Sequence, residues 1–179
     1  MDSPKSTSFS YGSGYQASQA EKFRNRKNNH WVHRIALANR LVDSYVFPKF
    51  TEVKKSDVVV VDVGCSIGTF AIEFAKKGYK AYGVDFDASA LEIARQLSKE
   101  ENVTPVFVQG DVSNWSVNFP KIDIAICFDI FEHLHDDELG AFLVAIRRQL
   151  SEKGSLIFHT FPTQFYYIFF FEILFEISS

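Results

Sequence analysis

The chain has 179 residues, 46% of them hydrophobic and 16% aromatic, enough for one domain with a buried core and too few for two. Its formal charge of −3, from 19 basic and 22 acidic residues, excludes a general attraction to nucleic acid or to an anionic membrane. Two cysteines, Cys65 and Cys127, stand outside any CxxC or Cys/His zinc spacing and read as the reduced thiols of a cytoplasmic protein.

Residues 1–17 are rich in Ser, Gly and Tyr, lack periodicity and are expected to be flexible. They hold no apolar run of the kind a secretory signal needs. From Ser18 to Val46 the positions Trp31, Ile35, Ala38, Leu41, Val42 and Tyr45 recur at steps of three and four. This predicts a helix with one apolar face, ended by Pro48, within an N-terminal lid over 18–50. Inside it, residues 21–34 carry five Lys/Arg against one acid, locally +4 and leaving −7 for the rest. That stretch is either a nucleic-acid patch or, as we favour, the solvated face of the lid helix.

The chain then alternates regularly through a domain over 51–161. A strand at 57–63 leads to a helix at 67–77, closed by Lys76-Lys77-Gly78. A strand at 80–84 precedes a helix at 88–99, capped by Asp87 or Ser89, with Ser89 and Glu92 spaced as a capping box. Its apolar stripe is Leu91, Ala94 and Leu97. Strands at 104–109 and 122–128 follow, then a helix at 136–151 capped by Asp136 or Asp137, with Leu139, Phe142, Leu143, Ile146 and Leu150 on its apolar side. Gly154 is expected to open a fifth strand at 155–161. Strands alternating with helices imply an α/β fold, a Rossmann-like doubly wound parallel sheet of about five strands with an added N-terminal helix. Ligands of such sheets bind at the carboxyl ends of the strands.

The first strand ends in Gly64-Cys65-Ser66-Ile67-Gly68. A dinucleotide turn aligned on Gly64 needs glycine at 66 and 69, where this chain has Ser66 and Thr69, and no Gly-Lys-Ser/Thr follows for a nucleoside triphosphate. What remains is an acid, Asp62, two residues before one glycine, and a second glycine four residues after it. Glycine lets backbone approach a ligand closely. Asp62 would repel a pyrophosphate and favour a ligand carrying an ammonium group; otherwise it anchors the turn. Asp85, about twenty residues past the turn, suits a ribose diol. Asp111 either accepts from an adenine amino group or is an ordinary turn residue.

Asp62-Val63-Gly64-x-Ser66-x-Gly68, Gly83-Val84-Asp85, Gly110-Asp111-Val112 and Asp123…Phe131-Glu132-His133-Leu134 together resemble the class I S-adenosylmethionine-dependent methyltransferases. They are most similar to the group that methylates small molecules, such as quinone-biosynthesis enzymes. The resemblance covers about residues 56–161 and implies S-adenosylmethionine as cofactor and a small-molecule methyl acceptor as partner. It implies that Gly64 and Gly68 shape the floor under the methionine part, with Asp62 and Ser66 nearby. Asp85 would hold the ribose hydroxyls with Phe86 beside it, Asp111 and Val112 would contact the adenine, and Phe128 would lie close to the sulfonium. Ser66 stands where the family usually has glycine. His133 or His135 is the candidate general base, needed only if the acceptor must lose a proton, and a structural role for His133 is an equal alternative. Asp129-x-x-Glu132-His133 is also similar to the metal-binding run of small-RNA 2′-O-methyltransferases, with His159 as the further histidine. Its first acid is Asp rather than Glu, and no metal is expected.

The fold implied has seven strands, whereas 18 residues, PTQFYYIFFFEILFEISS, follow Phe161. This aromatic tail, 162–179, is too short and too acidic for a membrane span. It covers the open edge as a helix, packs in a homodimer, or marks a shortened form of a longer protein, which is the expectation we favour.

Overall fold

The computed structural model describes residues 13–25, 30–112 and 117–160. The valine run forms β1 (Val59–Val63), buried at every residue because both faces of the strand are covered. On one side it pairs with β2 (Lys80–Asp85), Val60 opposite Ala81, and on the other with β4 (Ile122–Phe128), Val60 opposite Ile124. With β3 (Val106–Gln109) and β5 (Leu150–His159) the sheet is parallel throughout, in the order β3-β2-β1-β4-β5. Chain order reverses between β1 and β4, which makes their carboxyl ends the topological switch point.

Alternation along the strands separates two apolar layers. Val60, Ala81, Ile124 and Ile126 face α2 (His30–Leu41) and α3 (Thr69–Lys76), where Ala38, Phe70 and Phe74 complete the layer. Val59, Val61, Ala125 and Cys127 face α5 (Asp136–Gln149) through Phe142 and Ile146. Beside α3, α4 (Ala88–Glu100) packs Leu91, Ala94 and Leu97 against Ile67, Ala71 and Ile72, and α1 (Ser13–Arg24) joins them through Ala20 and Phe23. Asp123 ties the sheet at its amino end, accepting from Val59 N–H at 2.9 Å and from the Ser151 hydroxyl at 2.6 Å.

Several expectations need correction. Residues 13–17, expected to be flexible, belong to α1. The single helix expected from Ser18 is α1 and α2, followed by a π turn at Val42–Val46 and a 3-10 turn at Phe47–Phe50. In the π turn the N–H of Phe47 reaches Val42 O, one residue further than α-helical bonding. The extra residue rotates the face, so Val46 is buried and Tyr45, expected on the apolar side, is 46% exposed. Leu143 is likewise exposed, while Phe142 and Ile146 are the fully buried residues of α5 and Leu139 packs beside them. Asp87, not Ser89, caps α4, accepting from Ser89 and Ala90 N–H. The N-cap of α5 is His135, whose N–H donates to Glu138 at 2.9 Å, rather than Asp136 or Asp137. β5 begins at Leu150, and a register shift against Ile122 and Ile124 carries the chain to Ser155. The tail 162–179 and residues 1–12 lie outside the described residues.

Candidate functional site

The turn after β1 is built from left-handed residues. Gly64 has φ +67 and Gly68 φ +79, a conformation natural to glycine. A methyl group on Gly68 would stand 2.6 Å from the ring of Phe107, and one on Gly64 would collide with Ile130. Ser66, between them, has φ +47; the position that departs from the family pattern adopts the backbone glycine would favour.

Asp62 is 2% exposed and accepts from the N–H of Ala71 at 3.0 Å. Gly68, the residue at the N-cap of α3, has no side chain to offer, so Asp62 satisfies a donor of the first helical turn from the end of β1. Burial pushes its pKa up to about 7, against the helix N–H groups that pull it down, and Asp85 pushes it further up. The turn-anchoring alternative is therefore realised in the geometry, beside the position implied for the ligand's charge.

Asp85 ends β2 and is held at both oxygens: Ser66 N–H donates to Oδ2 at 2.7 Å and Asp87 N–H to Oδ1 at 2.9 Å. Burial raises its pKa as well, opposed by these N–H bonds. Cys65 N–H donates to Val84 O at 2.9 Å, which locks the two turns together. Phe86 accepts from the Gln109 amide at 3.0 Å, joining the ends of β2 and β3. Asp62, Gly64, Ser66, Gly68, Asp85 and Phe86 thus share one end of the sheet. Asp111 follows β3 and is exposed, Val112 packs at the edge of the α5-side core, and Phe128 ends β4 buried against Phe70, ring centroids 4.8 Å apart. His133 lies exposed in a short 3-10 turn, Phe131–His133.

Two contributors had no signal in the sequence. Gln16 of α1, 3% exposed, spans the site: it accepts from the Ser66 hydroxyl at 3.2 Å and donates to Asp87 at 3.3 Å. Arg34 of α2 meets Asp129 at 2.7 Å. Gln16 sits in a polar stretch without periodicity, and Arg34 in a basic run whose partners are remote in sequence. Residues of this site fit S-adenosylmethionine: a glycine cradle that a Cβ would fill, a fixed carboxylate suited to a diol, and a second buried acid next to it that a cationic ligand would relieve. Among the described residues no three His, Cys, Asp or Glu side chains gather as a metal site would need.

Comparison with known proteins agrees with this geometry. A family model described as a methyltransferase domain matches residues 60–154. The ubiquinone biosynthesis O-methyltransferase of Serratia proteamaculans (strain 568) is 33% identical over 128 residues, covering 71% of this chain and 50% of that protein. The chain therefore spans about half the length of this curated relative. Among solved structures, a TehB-like SAM-dependent methyltransferase from Corynebacterium glutamicum superposes with a TM-score of 0.61 at 20% identity, covering 82% of this chain and 73% of that one. Magnesium protoporphyrin IX methyltransferase from Synechocystis PCC 6803, solved with bound SAH, gives 0.56 at 23% identity, covering 81% and 68%. The strand order, the glycine turn at the switch point and the match over 60–154 place this chain in the methyltransferase-domain family, with the class I, Rossmann-like fold.

Proposed function

We propose that this chain is an S-adenosylmethionine-dependent methyltransferase acting on a small-molecule oxygen, nitrogen or carbon acceptor. The observation that carries the reading is Asp85, fixed through Ser66 and Asp87 at the carboxyl end of β2, beside the Gly64–Gly68 turn of β1. S-adenosylmethionine supplies an electrophilic methyl group: the acceptor's lone pair bonds to its carbon while the C–S electron pair stays on sulfur. The protein's part is to hold the two reactants in line. Gly64, Ser66 and Gly68 line the methionine part, Asp62 balances its ammonium, Asp85 and Phe86 take the ribose, Asp111 and Val112 the adenine, and Phe128 the sulfonium. His133 is the acid–base candidate carried by the sequence motif.

Calorimetric titration with S-adenosylhomocysteine, with NAD as control, tests the assignment. Saturable binding should weaken about 10- to 100-fold in Asp85→Ala, the loss expected for hydrogen bonds to a charged group. A folded, monodisperse sample that binds neither ligand would refute it. A second reading, a cofactor-binding chain without turnover, would be selected by binding without transfer to any acceptor.

Pairing of Arg24 with Glu100 and of Arg34 with Asp129 supports a lid rather than a nucleic-acid surface for the basic stretch. No helix among the described residues is long and apolar enough to cross a membrane. A cytoplasmic location is part of the proposal, supported by two buried free thiols. Homodimerisation through residues 162–179 is carried with it, and sedimentation would test that.

A further inference from the structure

The groups that hold Asp85 close into a ring. Ser66 N–H donates to its Oδ2 at 2.7 Å and Asp87 N–H to its Oδ1 at 2.9 Å. Gln16 of α1 joins the side chains of the same two residues. Its Nε2 donates to Oδ2 of Asp87 at 3.3 Å, and its Oε1 accepts from the Ser66 hydroxyl at 3.2 Å. Four hydrogen bonds thus tie α1 to the turns after β1 and β2. A primary amide suits this place because it donates at one end and accepts at the other, whereas a glutamate carboxylate could not donate to Asp87.

Packing brings Gln16 there. It lies about one and two helical turns before Ala20 and Phe23 on the buried face of α1, and those two join the core of Leu91, Ala94 and Leu97. Ser66 holds φ +47, a backbone that disfavours a side chain, and such strain persists where the surroundings over-determine it. Glycine would relieve it but has no hydroxyl to give Gln16. Desolvation works against the charge of Asp87, yet hydrogen bonds from Ser89, Ala90 and Gln16 hold its carboxyl below the ordinary aspartate range. The acceptor for the Gln16 amide is thereby kept.

We propose that Gln16 is a positioning residue for the cofactor: it holds Ser66 and Asp87 in place, and through their N–H groups it aims the Asp85 carboxylate at the ribose diol. The inference rests on the S-adenosylmethionine reading above. It gives α1 a part in nucleoside recognition, acting through Asp85 rather than by touching the ligand. It also gives Ser66 a reason to stand where glycine would be easier. An acceptor already aimed has less freedom to lose when the diol arrives. With the ring open, the carboxylate must be ordered at the moment of binding.

Calorimetric titration with S-adenosylhomocysteine tests the idea. Gln16→Ala, which keeps the helix propensity of α1, should weaken binding about 10-fold, within the range for one or two hydrogen bonds. In an Asp85→Ala background the same substitution should change affinity less than ~2-fold, because the group it positions is gone. The full loss repeated in that background would assign Gln16 to packing or to direct contact and overturn the proposal, as would unchanged affinity in Gln16→Ala alone. Ser66→Gly should bind ~3- to 10-fold more weakly although its backbone is relaxed; equal or tighter binding would also overturn it. Without ligand, deuterium exchange at the Ser66 and Asp87 amides should quicken about 10-fold in Gln16→Ala, and unchanged exchange contradicts the ring. Failure of the unmutated chain to bind S-adenosylhomocysteine would refute the proposed function itself. Binding that Asp85→Ala weakens and Gln16→Ala leaves unchanged would refute only this inference.

Discussion

At the residue scale the site turns on two acids with different duties. Asp85 is oriented by two backbone N–H groups and presents a fixed carboxylate at the sheet's end. Asp62 is buried deeper, anchors α3 through Ala71 and titrates near 7 because burial disfavours its charge. An unfolded aspartate titrates near 3.9, so between about pH 4 and 7 the folded chain holds a proton that the unfolded chain has lost. Stability therefore falls as pH rises through that window and levels off above it. Asp62→Asn cannot titrate. Urea unfolding at pH 5 and pH 7.5 should show the variant gaining on the unmutated chain at the higher pH, and a pH-independent difference would contradict this origin of the shift. Cys65 and Cys127 are buried as well, which pushes both thiols up and leaves them poor nucleophiles.

At the element scale, α5 is sealed by fewer residues than its periodicity suggests, whereas α4 buries its whole stripe of Leu91, Ala94 and Leu97. α5 presents five apolar candidates, yet Phe142 and Ile146 are the ones sealed against the sheet, while Leu143 is 40% exposed. Phe142 also meets Phe131 edge-on at 5.9 Å, so it joins the helix to the loop after β4. Phe142→Ala should cost about 3–5 kcal/mol, the range for a large buried ring. Leu143→Ala should cost well under that, since exposed substitutions lie within roughly 0.5 kcal/mol. Chemical denaturation of both variants measures the contrast, and similar losses would place the two side chains in one core. The π turn after α2 works in the same way: a single inserted residue decides that Val46, not Tyr45, reaches the core.

At the scale of the whole molecule, α1 and α2 close over the carboxyl end of the sheet. Gln16 bridges Ser66 and Asp87, Trp31 donates to Gln19 at 3.0 Å, and Arg34 reaches Asp129. The exposed Arg24–Glu100 pair ties α1 to α4; open to solvent, it orients more than it stabilises. If this layer is a lid, backbone hydrogen exchange over residues 13–25 should slow when S-adenosylhomocysteine saturates the chain, and global stability should rise by about 2.7 kcal/mol at a hundredfold excess over Kd. Unchanged exchange over α1 alongside saturable binding would make that helix a fixed wall instead.

The order of elements and the end of the sheet that matters were legible in the sequence, because both follow from local rules. Buried parallel strands read as apolar runs such as Val58–Val61, helices as steps of three and four, and the glycine turn and Asp85 announce themselves by spacing. Residues Ile122–Phe128 were delimited from sequence as the structure has them, since an uninterrupted apolar run between polar loops fixes a central strand. What depended on tertiary structure were the partnerships: Asp62 with Ala71, Gln16 with Ser66 and Asp87, Arg34 and His159 with Asp129. Asp62 lies 9 residues from its partner, His159 lies 30 from Asp129, and the others are 50 or more apart, beyond the reach of any periodicity. The sequence alone determined which strands form and where their ends would gather a ligand, because backbone geometry and burial act locally. Only the folded chain decided which polar side chains meet there, because buried donors and acceptors must find partners wherever packing brings them.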